Sequence, residues 1–249
     1  MRFFSVPVSC EWRRSLCCER VAHWGAGVNY QFRFDLVWGS VPELLVGALL
    51  TIQLSMIAMV IGVLVAVASA VARMAGPTWL KWIISAYVEI IRNTPFLVQI
   101  FIVFFGLPSI GIRLDPNTSA LFALTLNVAA YVTEILRAGI ESVPKGQTEA
   151  GVALGLGRIQ VFISVVLKPA IKSVYPALTS QYVLLMLQSS VISAISADEL
   201  TAIANDVASR TFASFEVYII VTVIYFAMGI AFSSMFAGLS RLLFSYPDR

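Results

Sequence analysis

Apolar residues run along the chain in five long stretches that contain no Asp, Glu, Lys or Arg. These stretches are residues 44–72, 93–112, 116–133, 173–197 and 217–240. A helix needs about 20 apolar residues to cross the hydrocarbon core of a bilayer, and each stretch is near that length. The pattern predicts an all-α integral membrane protein with five transmembrane helices.

The second stretch predicts a helix that starts before the stretch itself. Two prolines and a glycine interrupt the stretch, at Pro95, Gly106 and Pro108. Proline removes a backbone donor and ends or kinks a helix. We therefore expect the second helix to begin near Ile83 and to carry Glu89 and Arg92 inside it.

Composition supports the same class of protein. Of 249 residues, 59% are hydrophobic and 12% charged, whereas a soluble domain is about 25% charged. The net charge of +3 is small and does not indicate a nucleic-acid surface. The three cysteines and the single histidine all lie before the first apolar stretch, so we expect no metal and no cofactor. Gly-Lys never occurs in that order, which excludes a phosphate-binding loop for ATP on this chain.

Lysine and arginine predict the orientation, because they accumulate in cytoplasmic loops. The loop after helix one, the loop between helices three and four, and the C-terminus hold most of them: Arg73, Lys81, Arg137, Lys145, Arg158, Lys168, Lys172, Arg241 and Arg249. The opposite side, after helices two and four, holds only Arg113 and Arg210. The long loop and the C-terminus are therefore predicted to be cytoplasmic and the N-terminus external.

Residues 1–29 form a leader that disagrees with this orientation, because its arginines would lie outside. Glu11, Arg13 and Arg14 interrupt any apolar core, so the leader does not resemble a signal peptide. We expect a poorly ordered tail, a start codon assigned too far upstream, or a regulatory extension. The membrane domain is predicted to cover residues 30–249.

Two pairs of opposite charges lie within predicted membrane helices. Glu89 with Arg92, and Glu134 with Arg137, are spaced i,i+3, so each pair shares a helix face. Charges at membrane depth are costly and mark internal pairs or transport pathways. Each pair is interpreted either as a local salt bridge or as a contact for a solute or a moving partner.

A second set of polar residues is uncharged. It consists of Asn127, Gln188, Ser189 and Ser190. These side chains are candidates for the lining of a substrate path, and hydrogen bonding between helices is an equal alternative.

The segment TEAGVALGLGR, residues 148–158, interrupts the apolar pattern. We expect Thr148 to cap a short helix, with Glu149 in its first turn, where a carboxylate is favoured. A small apolar face is predicted from Ala150, Ala153 and Leu154. Gly155 and Gly157 can adopt positive φ and end the helix. The segment is interpreted as a docking knob for another protein or as a simple connecting loop.

The longer segment EAGVALGLGRIQVFISVVLKPA, residues 149–170, resembles the cytoplasmic loop of permease subunits in ATP-binding-cassette importers. That loop has Glu-Ala-Ala, three residues, Gly, and an apolar stretch ending in Leu-Pro. The matching positions are Glu149, Ala150 and Gly155. Gly151 replaces the second alanine, and Lys168 stands where the proline is expected, with Pro169 one place later.

Two further segments are similar to those of the polar amino-acid uptake permeases, the histidine, glutamine, glutamate, arginine and opine group. They are YVEIIRNTPFLVQIFIVFFGLP, residues 87–108, and AAYVTEILRAGIESVPKGQTEA, residues 129–150. The likeness runs from about Tyr30 to the C-terminus. Leu187 and Gln188 replace a Lys-Asp pair that many members carry, which leaves the substrate open.

This resemblance implies a type I importer permease in a bacterial cytoplasmic membrane, with a cytoplasmic coupling helix between helices three and four. It also implies partners: a second permease subunit, identical or paralogous, an extracytoplasmic solute-binding protein, and a dimer of cytoplasmic ATPases that hydrolyses the ATP. The transported substrate would be a polar amino acid. The coupling loop would comprise Glu149, Ala150, Gly151, Ala153, Leu154, Gly155, Gly157 and Arg158.

Two other classes of protein stay open from the residues alone. An ion-gradient-driven secondary transporter or channel would show broken helices at the midplane, and Pro95 is the hint of one. A small membrane-embedded lipid enzyme would need a carboxylate cluster at one interface, where Glu134, Glu141 and Glu149 are only loosely spaced. Solute uptake by this chain without ATP would identify the secondary transporter.

Overall fold

The computed structural model describes residues 30–243, and the predicted leader, residues 1–29, lies outside them. Within these residues the secondary structure is helical. The α-helices are α1 (Asp35–Trp38), α2 (Val41–Ala75), α3 (Thr78–Arg92), α4 (Phe96–Phe101), α5 (Pro116–Glu141), α6 (Lys145–Ala153), α7 (Arg158–Val161), α8 (Leu167–Gln188), α9 (Leu200–Thr211) and α10 (Ser214–Leu243). Two π-helical segments, Ile102–Gly106 and Phe162–Val166, and two 3-10 segments, Leu107–Ile110 and Ser189–Ile195, continue α4, α7 and α8.

Four helical stretches of the described residues are long and apolar enough to cross a membrane. They are Val41–Met74, Pro116–Glu141, Arg158–Ile195 and Ser214–Leu242. A fifth span is formed if Thr78–Arg92 and Phe96–Ile110 are counted together, with a bend of 111° between them. The prediction of an all-α protein with five spans is confirmed when this bent pair is counted as one span.

The second helix, predicted to begin near Ile83, begins five residues earlier at Thr78 as α3, and the chain breaks near Pro95. The chain leaves helical geometry at Asn93 and re-enters it after Pro95, whose ψ of 138° is extended. Proline disfavours the α conformation in the residue before it and has no N–H to continue the ladder. Glu89 and Arg92 therefore lie on a separate helix, α3.

Both π-helical segments lie where a proline removes the ordinary helical hydrogen bond. Pro108 faces the carbonyl of Phe104 four residues earlier, and Pro169 faces that of Val165. Each carbonyl belongs to a π-helical segment. A proline ring clashes with the i−4 carbonyl, and wider π geometry relieves that clash. The displaced Pro169 thus lies inside the span Arg158–Ile195 without ending it.

Small residues set the packing of α2, α5 and α8. A Cβ on Gly62 of α2 would lie 2.2 Å from Val128 Cγ1 of α5. A Cβ on Gly139 of α5 would lie 2.0 Å from Val174 Cγ1 of α8. Small residues let membrane helices approach closely, where packing replaces the hydrophobic effect as the source of stability.

The helices define two ends of the bundle. At the α9 end, Asn117 Nδ2 at the start of α5 donates to Asp198 Oδ2 at 2.9 Å. The helix α9, which the sequence analysis did not predict, packs there against the start of α2, with Leu200 Cα 2.9 Å from a Cβ built on Gly47. At the α6 end, Arg73 at the end of α2 reaches Glu134 near the end of α5.

Candidate functional site

The short helix α6 begins at Lys145, three residues before the predicted cap at Thr148, so that prediction is wrong. Pro144 precedes the helix with φ −59° and ψ 133°, and its carbonyl accepts from Gln147 N at 3.0 Å. Proline has no backbone N–H that would lack a partner at a helix start, so Pro144 is suited to the position just before α6. Thr148 is consequently inside the helix.

The end of α6 is a Schellman motif built around Gly155. Gly155 has φ +79°, its N–H donates to Val152 O at 2.9 Å, and Leu156 N donates to Gly151 O at 3.2 Å. This pair of bonds satisfies carbonyls that would otherwise lack partners at the helix end. The expected positive φ at Gly157 is wrong: its φ is −65°, because Gly157 starts the next helix and donates to Gln160 Oε1.

The predicted apolar face of α6 is exposed. Ala150, Ala153 and Leu154 are accessible, and Leu154 is 81% exposed. The buried position is Gly151, where a Cβ would lie 3.1 Å from Val161 Cγ2 of α7. Glycine at position 151 thus allows α6 to seat closely on the start of the next span.

Several other side chains of this end share the exposure and were not predicted. They are Val152 at 56%, Ile159 at 75% and Ile163 at 53%. Together with Leu154 they form the α6 knob, an apolar projection around the exposed Glu149 and Arg158. Helical periodicity could not predict that Ile159 is exposed on the same projection as Val152 and Leu154, because the turn at Gly155 changes the direction of the chain between them.

A buried polar contact bridges the break between α3 and α4. Gln99 Nε2 donates to Ile91 O at 2.7 Å and to Thr94 O at 3.0 Å, and Asn127 Nδ2 donates to Gln99 Oε1 at 2.9 Å. Non-helical backbone at membrane depth needs such partners. Asn127, a candidate path residue, is 1% exposed and joins two helices here.

Glu134 lies at the centre of a cluster of arginines. Its carboxylate accepts from Arg137 Nε at 3.0 Å and Arg73 Nη1 at 3.4 Å, and Arg92 Nη1 is 4.0 Å away. Arg137 also bonds Glu141. The structure thus contains a Glu134–Arg137 salt bridge, whereas Glu89 and Arg92 form no salt bridge with each other within residues 30–243. At the end of α3, Arg92 turns towards α5 and lies 5.7 Å over the Tyr131 ring.

The remaining candidates for a substrate path are Gln188, Ser189 and Ser190, and they differ in exposure. Ser189 is fully buried and donates to Met186 O at 2.7 Å, whereas Gln188 is half-buried. Ser190 lines a cavity of about 600 Å³ between α8 and α10, next to Leu187, Thr222 and Tyr225. A second cavity of about 550 Å³ shares Val183 and Ser233 with the first, so the two form one groove along these helices.

A buried carboxylate at the α9 end was missed by the sequence analysis. Glu199 is fully buried; it accepts from Ala202 N at 2.7 Å and from Tyr225 Oη at 2.9 Å. Burial raises the pKa of its carboxyl above the ordinary 4.5. An acid followed by apolar residues 200, 204, 207 and 208 was the signal for a capped amphipathic helix.

Comparisons with known proteins give the chain its family. Residues 58–244 match the family described as "Binding-protein-dependent transport system inner membrane component". The L-cystine transport system permease protein TcyB of Bacillus subtilis (strain 168) is 39% identical over 178 residues, 71% of this chain and 76% of that protein. The glutamine transport system permease protein GlnP of Escherichia coli (strain K12) is 30% identical over 213 residues, 85% of this chain and 97% of that protein.

A solved structure agrees with the sequence relatives. The crystal structure of an amino acid ABC transporter with histidines matches with a TM-score of 0.82 and 34% identity, over 86% of this chain and all of that chain. The resemblance predicted from the three segments is therefore confirmed. On this basis the chain belongs to the family of inner membrane components of binding-protein-dependent transport systems.

Proposed function

We propose that this chain is the membrane-spanning permease subunit of an ATP-driven importer that carries a polar amino acid across the cytoplasmic membrane. The observation that carries the proposal is the α6 knob, whose apolar side chains are exposed, with Leu154 81% exposed, and lie beside the turn that Gly155 makes with positive φ. Relatives that are named for cystine and glutamine transport support the substrate class. We infer that the chain itself is not an enzyme.

The partners follow from the knob and the family. A dimer of cytoplasmic ATPases grips the α6 knob of this chain and of a second permease subunit, identical or paralogous. A separate extracytoplasmic protein delivers the amino acid at the α9 end. Closure of the ATPases moves α6, and the bundle switches access from one side to the other as a rigid two-state element.

The orientation belongs to the same proposal. The α6 end carries Arg73, Lys145 and Arg158 and is cytoplasmic by the positive-inside rule. The α9 end is external. The N-terminus is then external and the C-terminus cytoplasmic.

Reconstitution tests the proposed function. The full chain is co-expressed with candidate importer ATPase and binding-protein chains from the same genome, and the purified complex is placed in liposomes. Uptake of labelled L-glutamine, L-cystine or L-histidine should require both internal ATP and the external binding protein. Uptake by this chain alone, driven by an ion gradient without ATP, would make it a secondary transporter, and lipid turnover without any uptake would make it an enzyme.

A further inference from the structure

A charged cavity of about 420 Å³ lies between α2, α3 and α5 near the α6 end, apart from the groove along α8 and α10. Its polar lining includes Arg73, Glu89, Arg92, Asn93, Tyr131 and Glu134. Charged groups at membrane depth are costly unless they are paired or serve a pathway. The charged groups of this cavity that have no partner are therefore candidates to bind a transported molecule.

The arginines of the cavity have more donors than the chain uses. Both oxygens of Glu134 accept from Arg137, which lies outside this cavity. Arg73 donates one long bond of 3.4 Å to Glu134, and Arg92 makes no hydrogen bond within the described residues. A guanidinium presents five N–H donors in a fork that fits a carboxylate. The cavity thus offers two guanidiniums to an anionic group.

The cavity also offers an acceptor of the opposite sign. Glu89 is exposed to it and forms no ion pair within residues 30–243. The lining therefore has two arginines and two glutamates, with Glu134 satisfied and Glu89 available. A phosphate group would meet both carboxylates, whereas a molecule with one carboxylate and one ammonium complements this arrangement.

We propose that this cavity binds a free α-amino acid as its zwitterion, with the carboxylate on Arg92 and Arg73 and the ammonium on Glu89. The site rests on the proposed function, because an importer releases its amino acid at the α6 end. Its volume is ample for one such molecule. The break between α3 and α4 places Arg92 over Tyr131, and that position turns its guanidinium into the cavity.

Equilibrium binding tests the site without transport. The permease–ATPase complex, without binding protein or nucleotide, is placed in lipid nanodiscs and titrated with labelled L-glutamine, L-cystine and L-histidine. Arg92→Gln and Glu89→Gln should each weaken binding of the transported amino acid about tenfold, the usual scale for a charge-assisted bond. Lys81→Gln removes a charge from the same helix outside the cavity and should leave binding unchanged.

Competitors separate recognition from a structural effect. In the wild type, the α-amide of the amino acid, which lacks the carboxylate, and its N-acetyl derivative, which lacks the ammonium, should compete poorly. In Glu89→Gln, the affinity for the free amino acid should exceed that for the N-acetyl derivative by a smaller factor than in the wild type. In Arg92→Gln, the affinity for the free amino acid should exceed that for the amide by a smaller factor. Elution volume in size-exclusion chromatography verifies that each variant assembles.

Three results would overturn the site. One is unchanged affinity in both variants while the wild-type complex still imports the amino acid, which refutes the site and leaves the proposed function intact. Another is displacement of the label by inorganic phosphate, or by added phosphatidylglycerol, in the wild type and not in Arg92→Gln, which assigns the cavity to a phosphate. The third is a wild-type complex that imports no amino acid, which refutes the proposed function and the site with it.

Discussion

Gly155 and Gly157 lie two residues apart at the end of α6, yet the backbone uses only the first as a left-handed residue. Gly155 has φ +79°, and a side chain there would be strained even though no atom lies within 4 Å of its Cβ position. Replacing it by a β-branched residue stores about 1–3 kcal/mol of strain at the turn. We expect Gly155→Val to leave the subunit in the membrane and to abolish ATP-driven uptake, because the α6 knob loses its fixed direction.

Uptake by proteoliposomes and the amount of inserted chain together test this prediction. Gly238→Val is the matched control, since Gly238 also has no atom within 4 Å of its Cβ position and lacks a positive φ. Full uptake by Gly155→Val would show that the turn does not transmit the movement.

The buried carboxyl of Glu199 predicts how the stability of the subunit depends on pH. Burial raises the pKa of its carboxyl, so the folded state holds this proton more tightly than the unfolded state. Its contribution to stability is then largest at acid pH and is lost as the pH rises from the ordinary value of 4.5 through the raised one. Glu199→Gln keeps an acceptor for Ala202 N and should flatten this part of the pH profile of Tm.

Removal of the Glu199 side chain is a different change, because it leaves buried donors without an acceptor. Glu199→Ala should lower the free energy of unfolding by about 2 kcal/mol, the combined scale of a lost helix cap and an unsatisfied donor. Thermal unfolding in detergent, followed from about pH 4 to pH 8, measures both variants. Parallel pH profiles for wild type and Glu199→Gln would contradict the assignment.

At the scale of elements, the approach of α2 to α5 depends on Gly62. A Cβ there would lie 2.2 Å from Val128 Cγ1 and 3.4 Å from the backbone of Thr125 and Ala129. Gly62→Ala should destabilise the subunit by about 1–3 kcal/mol, the range of overpacked cores. Adding Val128→Ala removes the clashing methyl group and should restore most of the lost Tm, whereas Gly238→Ala should have little effect. A double variant no more stable than Gly62→Ala would locate the strain elsewhere.

The helices that could be predicted are those whose signal is local. Long charge-free runs specify α2, α5, α8 and α10, because length and hydropathy alone decide a span. The bend of 111° at residues 93–95 depends on Gln99 and Asn127 satisfying the open backbone from elsewhere in the chain. Proline at position 95 indicates an interruption, but no periodicity contains such a long-range contact, and so the size of the bend could not be predicted.

At the scale of the whole molecule, motif spacing predicted the family and the short helix α6, and it could not predict which polar groups meet. Arg73, Arg92 and Glu134 come from three helices and lie together only because α3 folds back against α5. The i,i+3 spacing by itself suggests that Arg92 pairs with Glu89 on its own helix. Tertiary packing decides partners that local spacing can only suggest.

The orientation of the whole bundle gives a last prediction. Leu154 and Phe212 are 81% and 92% exposed and lie at opposite ends. All three cysteines lie within residues 10–18 and can be replaced by serine, after which Leu154→Cys and Phe212→Cys each provide one thiol for labelling. In intact cells that lack the ATPase, a membrane-impermeant maleimide should label Phe212→Cys, and it should label Leu154→Cys only after permeabilisation. The positive-inside rule dictates this result, because Arg73, Lys145 and Arg158 share the end of Leu154, and the reverse labelling pattern would place the α6 knob outside, where no ATPase could reach it.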